Sequence, residues 1–230
     1  MGSDASLVLT PATAQPNDVI ECGISIVDDN GGTDSTTESV TVENSSPVLS
    51  SVEITPATAY NNDILTCSET ASDSDAQTLS RTYVWTNSTT GSILGSSAII
   101  ALNSASASPN DTLTCDVTVS DTLGDSASDS AQITLGNRAP SAPTVSISPS
   151  SANTLDLLTA SVSGSVDDDN DTISYSYQWF QDGTLASNTN DYLDFSETTS
   201  GETWTVRVTP NDGYEDGTYT QADVDADIYP

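Results

Sequence analysis

Residues 51–67, SVEITPATAYNNDILTC, align without a gap onto residues 144–160, TVSISPSSANTLDLLTA, a displacement of 93 positions. The same displacement carries Pro47 onto Pro140, and each copy follows an Asn-x-x-Pro junction, NSSP at 44–47 and NRAP at 137–140. A period of that length is too long for a solenoid turn and matches one two-layer β domain. The expected organisation is therefore a unit at 47–138, a second at 139–230, and an incomplete unit at 1–46. In the incomplete unit, LTPATAQPNDVIEC (9–22) resembles the opening of the 47–138 unit, whereas the residues after Cys22 match a unit's end. Cys22 precedes Pro47 by as many residues as Cys115 precedes Pro140, and Val40 and Val42 fall against Ile133 and Leu135. The segment reads as the C-terminal half of a unit or as a unit shortened by its middle strands.

Inside each unit the apolar residues alternate, with turn-forming residues every eight to twelve positions and no helical period. Ile173, Tyr175, Tyr177 and Trp179 share one face of ISYSYQW, as Leu79, Arg81, Tyr83 and Trp85 do one unit earlier. Leu113, Cys115, Val117 and Val119 form another such row, and Trp204, Val206 and Val208 its counterpart. Such rows predict half-buried antiparallel strands and an all-β fold, with Trp85 and Trp179 in the two cores.

The order Cys67, Trp85, Cys115 resembles the immunoglobulin fold, in which a tryptophan packs on a disulfide that joins the two sheets. The resemblance implies tandem immunoglobulin-like β-sandwiches and a Cys67–Cys115 bridge in the 47–138 unit. In the 139–230 unit Ala160 and Val206 replace the cysteines, so no bridge is expected there. Together with the junction prolines, the VTPNDG turn at 208–213 and the D-x-D-x-D stretch before YSYQW, the chain is similar to the tandem PKD-like and cadherin-like repeats of large bacterial and archaeal surface proteins. That family implies an extracellular or cell-surface location, which cysteine pairing also favours. For Cys22 the readings are a free buried thiol or a partner in another chain.

Composition closes several functional classes. Three Lys+Arg against 34 Asp+Glu, with no His, give a formal net charge of -31. The basic residues are Arg81, Arg138 and Arg207, so phosphate backbones and anionic membranes are repelled. Without imidazole or lysine, acid–base and nucleophilic catalysis would fall to a carboxylate pair or a metal. Carboxylates repeated in the loops of every unit, with no apolar pocket implied beside them, read as structural, and no enzymatic activity is expected. No apolar run is long enough to span a bilayer. The first residues lack the basic and apolar parts of a secretion signal, so the chain is expected to be a piece of something longer.

Of the 34 acidic residues eight are Glu, leaving Asp dominant, the shorter carboxylate that suits turns and calcium loops. Asp167, Asp169 and Asp171 have the spacing of the first three ligands of an EF-hand. Thr172 and Gln178, however, stand where its glycine and glutamate belong, so the stretch is not one. The 47–138 unit keeps Asp73 and Asp75 at the same distances before Trp85 and has Gln77 as the third member. Another aspartate recurs six residues beyond the core cysteine or valine, as Asp28, Asp121 and Asp212. Loops that leave the same end of such a sandwich would gather Asp167, Asp169, Asp171 and Asp212, with Asp216 nearby. In the preceding unit they would gather Asp73, Asp75 and Asp121, with Asp125 nearby. Two readings stand: Ca2+ sites that stiffen the joints between repeats, as the cadherin-like resemblance implies, or solvated Asx turns.

The expected function is a non-catalytic spacer, stalk or adhesin segment whose partners are neighbouring repeats. The rival is an accessory module that binds carbohydrate or protein, with Tyr60, Trp204, Tyr214 and Tyr219 as candidate contacts, although Trp204 also fits a core row.

Overall fold

A computed structural model describes residues 6–227. It resolves into two compact units, one containing residues 6–57, 64–101 and 112–134, the other 58–63, 102–111 and 135–227.

The first unit contains a hairpin and a complete sandwich. The hairpin is β1 (Val19–Val27) against β2 (Thr33–Thr41). The sandwich pairs a three-stranded sheet with a four-stranded one. In the first, β4 (Ile64–Ser72) lies between β3 (Val48–Thr55) and β7 (Ile99–Ala101). The second runs β6 (Ser92–Gly95), β5 (Ser80–Asn87), β8 (Thr112–Ser120), β9 (Ser126–Thr134). Alternation drives the layering: Leu65 and Cys67 on β4 are buried, as are Leu113, Cys115, Val117 and Val119 on β8, and Trp85 on β5 is 0% exposed. Cys67 and Cys115 are bonded across the two sheets, and the Trp85 indole donates to the Ser97 carbonyl at 3.0 Å.

The second unit repeats this plan without the bond. One sheet orders β10 (Thr144–Ser148), β12 (Leu158–Ser163) and β15 (Tyr192–Leu193). The other runs β11 (Ala152–Asn153), β17 (Thr220–Asp227), β16 (Glu202–Asn211), β13 (Ser174–Gln181), β14 (Thr184–Leu185). Trp179 is again 0% exposed, with Leu158, Ala160, Leu193, Trp204, Val206 and Val208 in the same cluster. Its indole donates to the Asn190 carbonyl at 2.9 Å. The chain is thus an all-β protein of tandem immunoglobulin-like sandwiches.

Among the described residues the hairpin has no second layer. Its register nonetheless reproduces that of β8 and β9: Ile20 pairs with Val40 as Leu113 pairs with Ile133, and Cys22 with Glu38 as Cys115 with Ala131. Val42 donates its N–H to the Asp18 carbonyl and accepts the Asn17 N–H, as Leu135 donates to the Asp111 carbonyl and accepts the Asn110 N–H, and LTPATAQPNDVIEC aligns gap-free with LNSASASPNDTLTC at 102–115. Segment 9–42 therefore has the form of the last strands of a sandwich. Ile24 and Ile26 are 60% and 64% exposed because nothing lies over them. Cys22 is a free, exposed thiol, which corrects the reading of a buried one: a two-stranded sheet offers no interior.

Each arginine is engaged inside its own unit. Arg81 pairs with Glu69, Arg138 with Asp169, and the Arg207 guanidinium lies between the rings of Phe180 and Tyr219, 4.8 and 4.2 Å from their centroids. Among the described residues no helix is long and apolar enough to cross a membrane.

Candidate cation sites at the sandwich poles

In the C-terminal sandwich the turn between β12 and β13, the turn between β16 and β17 and the linker at 137–138 converge. Asp167 folds the first turn by accepting the N–H groups of Asp169 at 2.8 Å and Asp171 at 3.1 Å on Oδ1, and Asn170 takes the left-handed φ of 65° that this requires. Asp212 shapes the second: its Oδ1 accepts the N–H groups of Tyr214 and Glu215, both at 2.7 Å, and its Oδ2 accepts the Asn137 amide at 2.9 Å. Asp169 is buried and fully used. Its Oδ2 takes the Arg138 N–H at 2.7 Å, and its Oδ1 takes Nε at 3.0 Å and Nη2 at 2.6 Å. Arg138 in turn lies over Tyr60, 4.5 Å from the ring centroid, and donates to Asn62 Oδ1 at 3.0 Å. Asn61 and Asn62 donate to the carbonyls of Asp169 and Asp168 at 2.7 and 3.2 Å. Segment 58–63 is thereby fastened to the acidic turn within the second unit.

Four side-chain oxygens of the residues at this pole are buried and receive no donor: Asp167 Oδ2, Asp171 Oδ2, Asn137 Oδ1 and Asn61 Oδ1, the last on the amide that donates to the Asp169 carbonyl. Carboxylate oxygens of Asp167, Asp169 and Asp171 lie within 4.8 Å of one another. Burial, then the charges of Asp167, Asp169 and Asp212, push the Asp171 carboxyl above its ordinary value. Burial also works against ionisation of Asp212, but the Glu215 N–H, the Asn137 amide and the Tyr214 N–H outweigh it and hold that carboxyl below the usual range.

The pole of the middle sandwich repeats the main bonds of this scaffold. Asp73 Oδ1 accepts the N–H groups of Asp75 and Gln77, Asp75 accepts the Ser45 N–H at 2.6 Å, and Ala76 adopts φ 58°. Asp121 Oδ1 accepts the N–H groups of Leu123, Gly124 and Asp125, and its Oδ2 accepts the Asn44 amide at 2.8 Å. The Asn44 amide and then the Gly124, Asp125 and Leu123 N–H groups lower the Asp121 carboxyl despite its burial. Asp125 accepts from Asn44 at 2.9 Å and from the Ser46 hydroxyl at 3.1 Å. The fourth corner differs: Gln77 Nε2 donates to Asn44 Oδ1 at 2.5 Å, and Gln77 Oε1 accepts the Thr122 N–H and hydroxyl at 3.1 and 2.7 Å. Only Asp73 Oδ2 is left there, among the described residues, as a buried oxygen without a donor.

Of the residues expected to ligate a metal, Asp167 and Asp171 offer unengaged oxygens and Asp73 offers one, whereas Asp75, Asp121, Asp169 and Asp212 already hold hydrogen bonds. Asp216 accepts the Asn211 amide at 2.8 Å. The oxygens brought together here are those of Asp167, Asp169 and Asp171, and an all-oxygen set of this kind suits a hard cation such as Ca2+, which takes six to eight oxygens including water. It does not fit zinc, which wants nitrogen or sulfur. Sequence reasoning missed Asn44, Asn137 and Arg138, treating the junctions as boundaries only; the recurrence of the asparagine at the repeat distance was the available signal. Of the candidate aromatic contacts, Trp204 is 2% exposed and lies in the core row, Tyr60 carries Arg138, Tyr219 carries Arg207, and Tyr214 and Tyr219 are exposed.

No protein-family model and no curated protein matches the chain. Among solved structures it is similar to the FN1–FN3 domains of chicken CNTN1, at 12% identity and TM-score 0.33 over 90% of this chain and 78% of that one. A two-domain fibronectin type-III segment of chicken tenascin gives 12% and 0.40 over 77% and 99%. The N-terminal four Ig domains of Dscam1 isoform 9.44 give 12% and 0.38 over 87% and 51%.

Proposed function

We propose that this chain is a non-catalytic segment of an extracellular spacer, stalk or adhesin, as expected of bacterial or archaeal surface repeats, in which Ca2+ bound at the C-terminal pole stiffens a joint between repeats. The observation that carries the cation is the trio of donorless buried oxygens on Asn137, Asp167 and Asp171, placed where like charges already oppose ionisation of Asp171. A buried oxygen without a partner costs about 1–3 kcal/mol, and an ion that accepts all three removes that cost at once. Asn137 lies in the linker and the aspartates in a sandwich loop, so one ion ties the two together. The disulfide supports an oxidising compartment, and the acidic surface keeps neighbouring molecules apart.

Calorimetric titration with Ca2+, paired with thermal unfolding and small-angle scattering with and without chelator, tests this reading. Binding is expected with a higher melting temperature and a narrower distribution of shapes. Identical unfolding and scattering in both conditions would remove the cation from the account.

A further inference from the structure

The two poles share the turn-forming aspartates and differ within the acidic turn at Ser74, Ala76 and Gln77 against Asp168, Asn170 and Asp171; of these, Gln77 is the one that bonds a junction asparagine. At the C-terminal pole Asn137 Oδ1 and Asp171 Oδ2 are both buried acceptors with nothing to accept from. At the middle pole the equivalent asparagine oxygen, Asn44 Oδ1, is satisfied by Gln77 Nε2 at 2.5 Å, and the rest of the Gln77 amide is satisfied by Thr122. We infer that Gln77 is a built-in substitute for the divalent ion: its amide nitrogen supplies to Asn44 the positive partner that Ca2+ supplies to Asn137, so the chain binds one such ion, at the C-terminal pole, and closes the middle pole without one.

This rests on the cation reading above and adds its stoichiometry and the residue that sets it. Replacing a carboxylate by a carboxamide removes a negative charge and an anionic ligand and adds two N–H donors. The neutral amide meets the asparagine acceptor directly, and a cation arriving there would meet N–H hydrogens. Asp73 Oδ2, the remaining donorless oxygen of that pole, is by itself far short of a calcium shell.

The test uses the full chain and its variants Gln77→Asp and Asp171→Gln, with Ca2+ counted by isothermal calorimetry and melting recorded in chelator. Expected are one ion for the wild type, two for Gln77→Asp and none for Asp171→Gln. In chelator Gln77→Asp is expected to lower the melting temperature of its unit by about 4 °C or more, and Asp171→Gln to raise that of the other by a similar amount. Two ions on the wild type would overturn the inference and leave the cation reading standing. No calcium on the wild type would overturn the cation reading. The melting shifts in chelator then judge the substitute role of Gln77 separately, and equal or reversed shifts would overturn it. A Gln77→Asp protein that folds and still binds one ion would also overturn it.

Discussion

In the middle sandwich a covalent bond joins Cys67 to Cys115, whereas Ala160 and Val206, at the same two places in the C-terminal sandwich, sit in one apolar cluster. The poles divide in the opposite sense: Gln77 satisfies the junction asparagine of the middle one from within, while the C-terminal one keeps its asparagine oxygen unmet. One fold therefore tolerates two ways of holding its core and two ways of closing its end. The sandwich with the covalent core has a pole with one donorless buried oxygen, on Asp73; the one without that bond leaves several.

The harshest way to break this comparison is to remove the feature the two share. Trp179→Ala is expected to cost about 3–5 kcal/mol in the second unit and Trp85→Ala a similar amount in the first, read by chemical denaturation. Markedly unequal losses would show that one indole matters less than its burial implies. Next, replacing both Cys67 and Cys115 by Ala should cost about 4 kcal/mol for a loop with a sequence separation of 48, confined to the first unit. An equal loss in the second would dissolve the distinction. A smaller effect separates the junction asparagines in chelator. Asn44→Ala removes bonds to Asp121, Asp125 and Gln77 and should lower stability by about 2 kcal/mol. Asn137→Ala loses the bond to Asp212 but also discards a donorless oxygen, so its cost should be less.

The subtlest contrast is in pH. Without cation, the folded state holds a proton on Asp171 more tightly than the unfolded chain does, so stability rises as pH falls from neutral through that raised value. Asp171→Asn should abolish the rise. At lower pH both proteins lose stability as Asp212 and Asp121, whose carboxyls are depressed in the folded state, take up protons. A pH profile unchanged by Asp171→Asn would show that the like charges are already relieved.

The sandwiches were legible in the sequence because period-two alternation is written into single residues: Leu113, Cys115, Val117 and Val119 share one face, and all four are buried. The repeat supplied the rest by placing Trp179 on Trp85 and Ala160 on Cys67. The poles were half legible. Aspartate spacing located the turns, but Asp169, which looked like a ligand, is taken by Arg138, a pairing between residues 31 positions apart that no local pattern announces. Gln77 was visible as a departure from the acidic series; its meaning needed the position of Asn44. Cys22 was ambiguous because its environment depends on strands that the hairpin does not itself contain.

The bare face of that hairpin makes the three cysteines chemically distinguishable. Cys22 is open to solvent while Cys67 and Cys115 are 2% and 0% exposed, so a thiol-directed label applied to the folded protein marks one site and leaves the bridge untouched. A spectroscopic probe or a surface attachment can therefore be fixed on the hairpin without engineering.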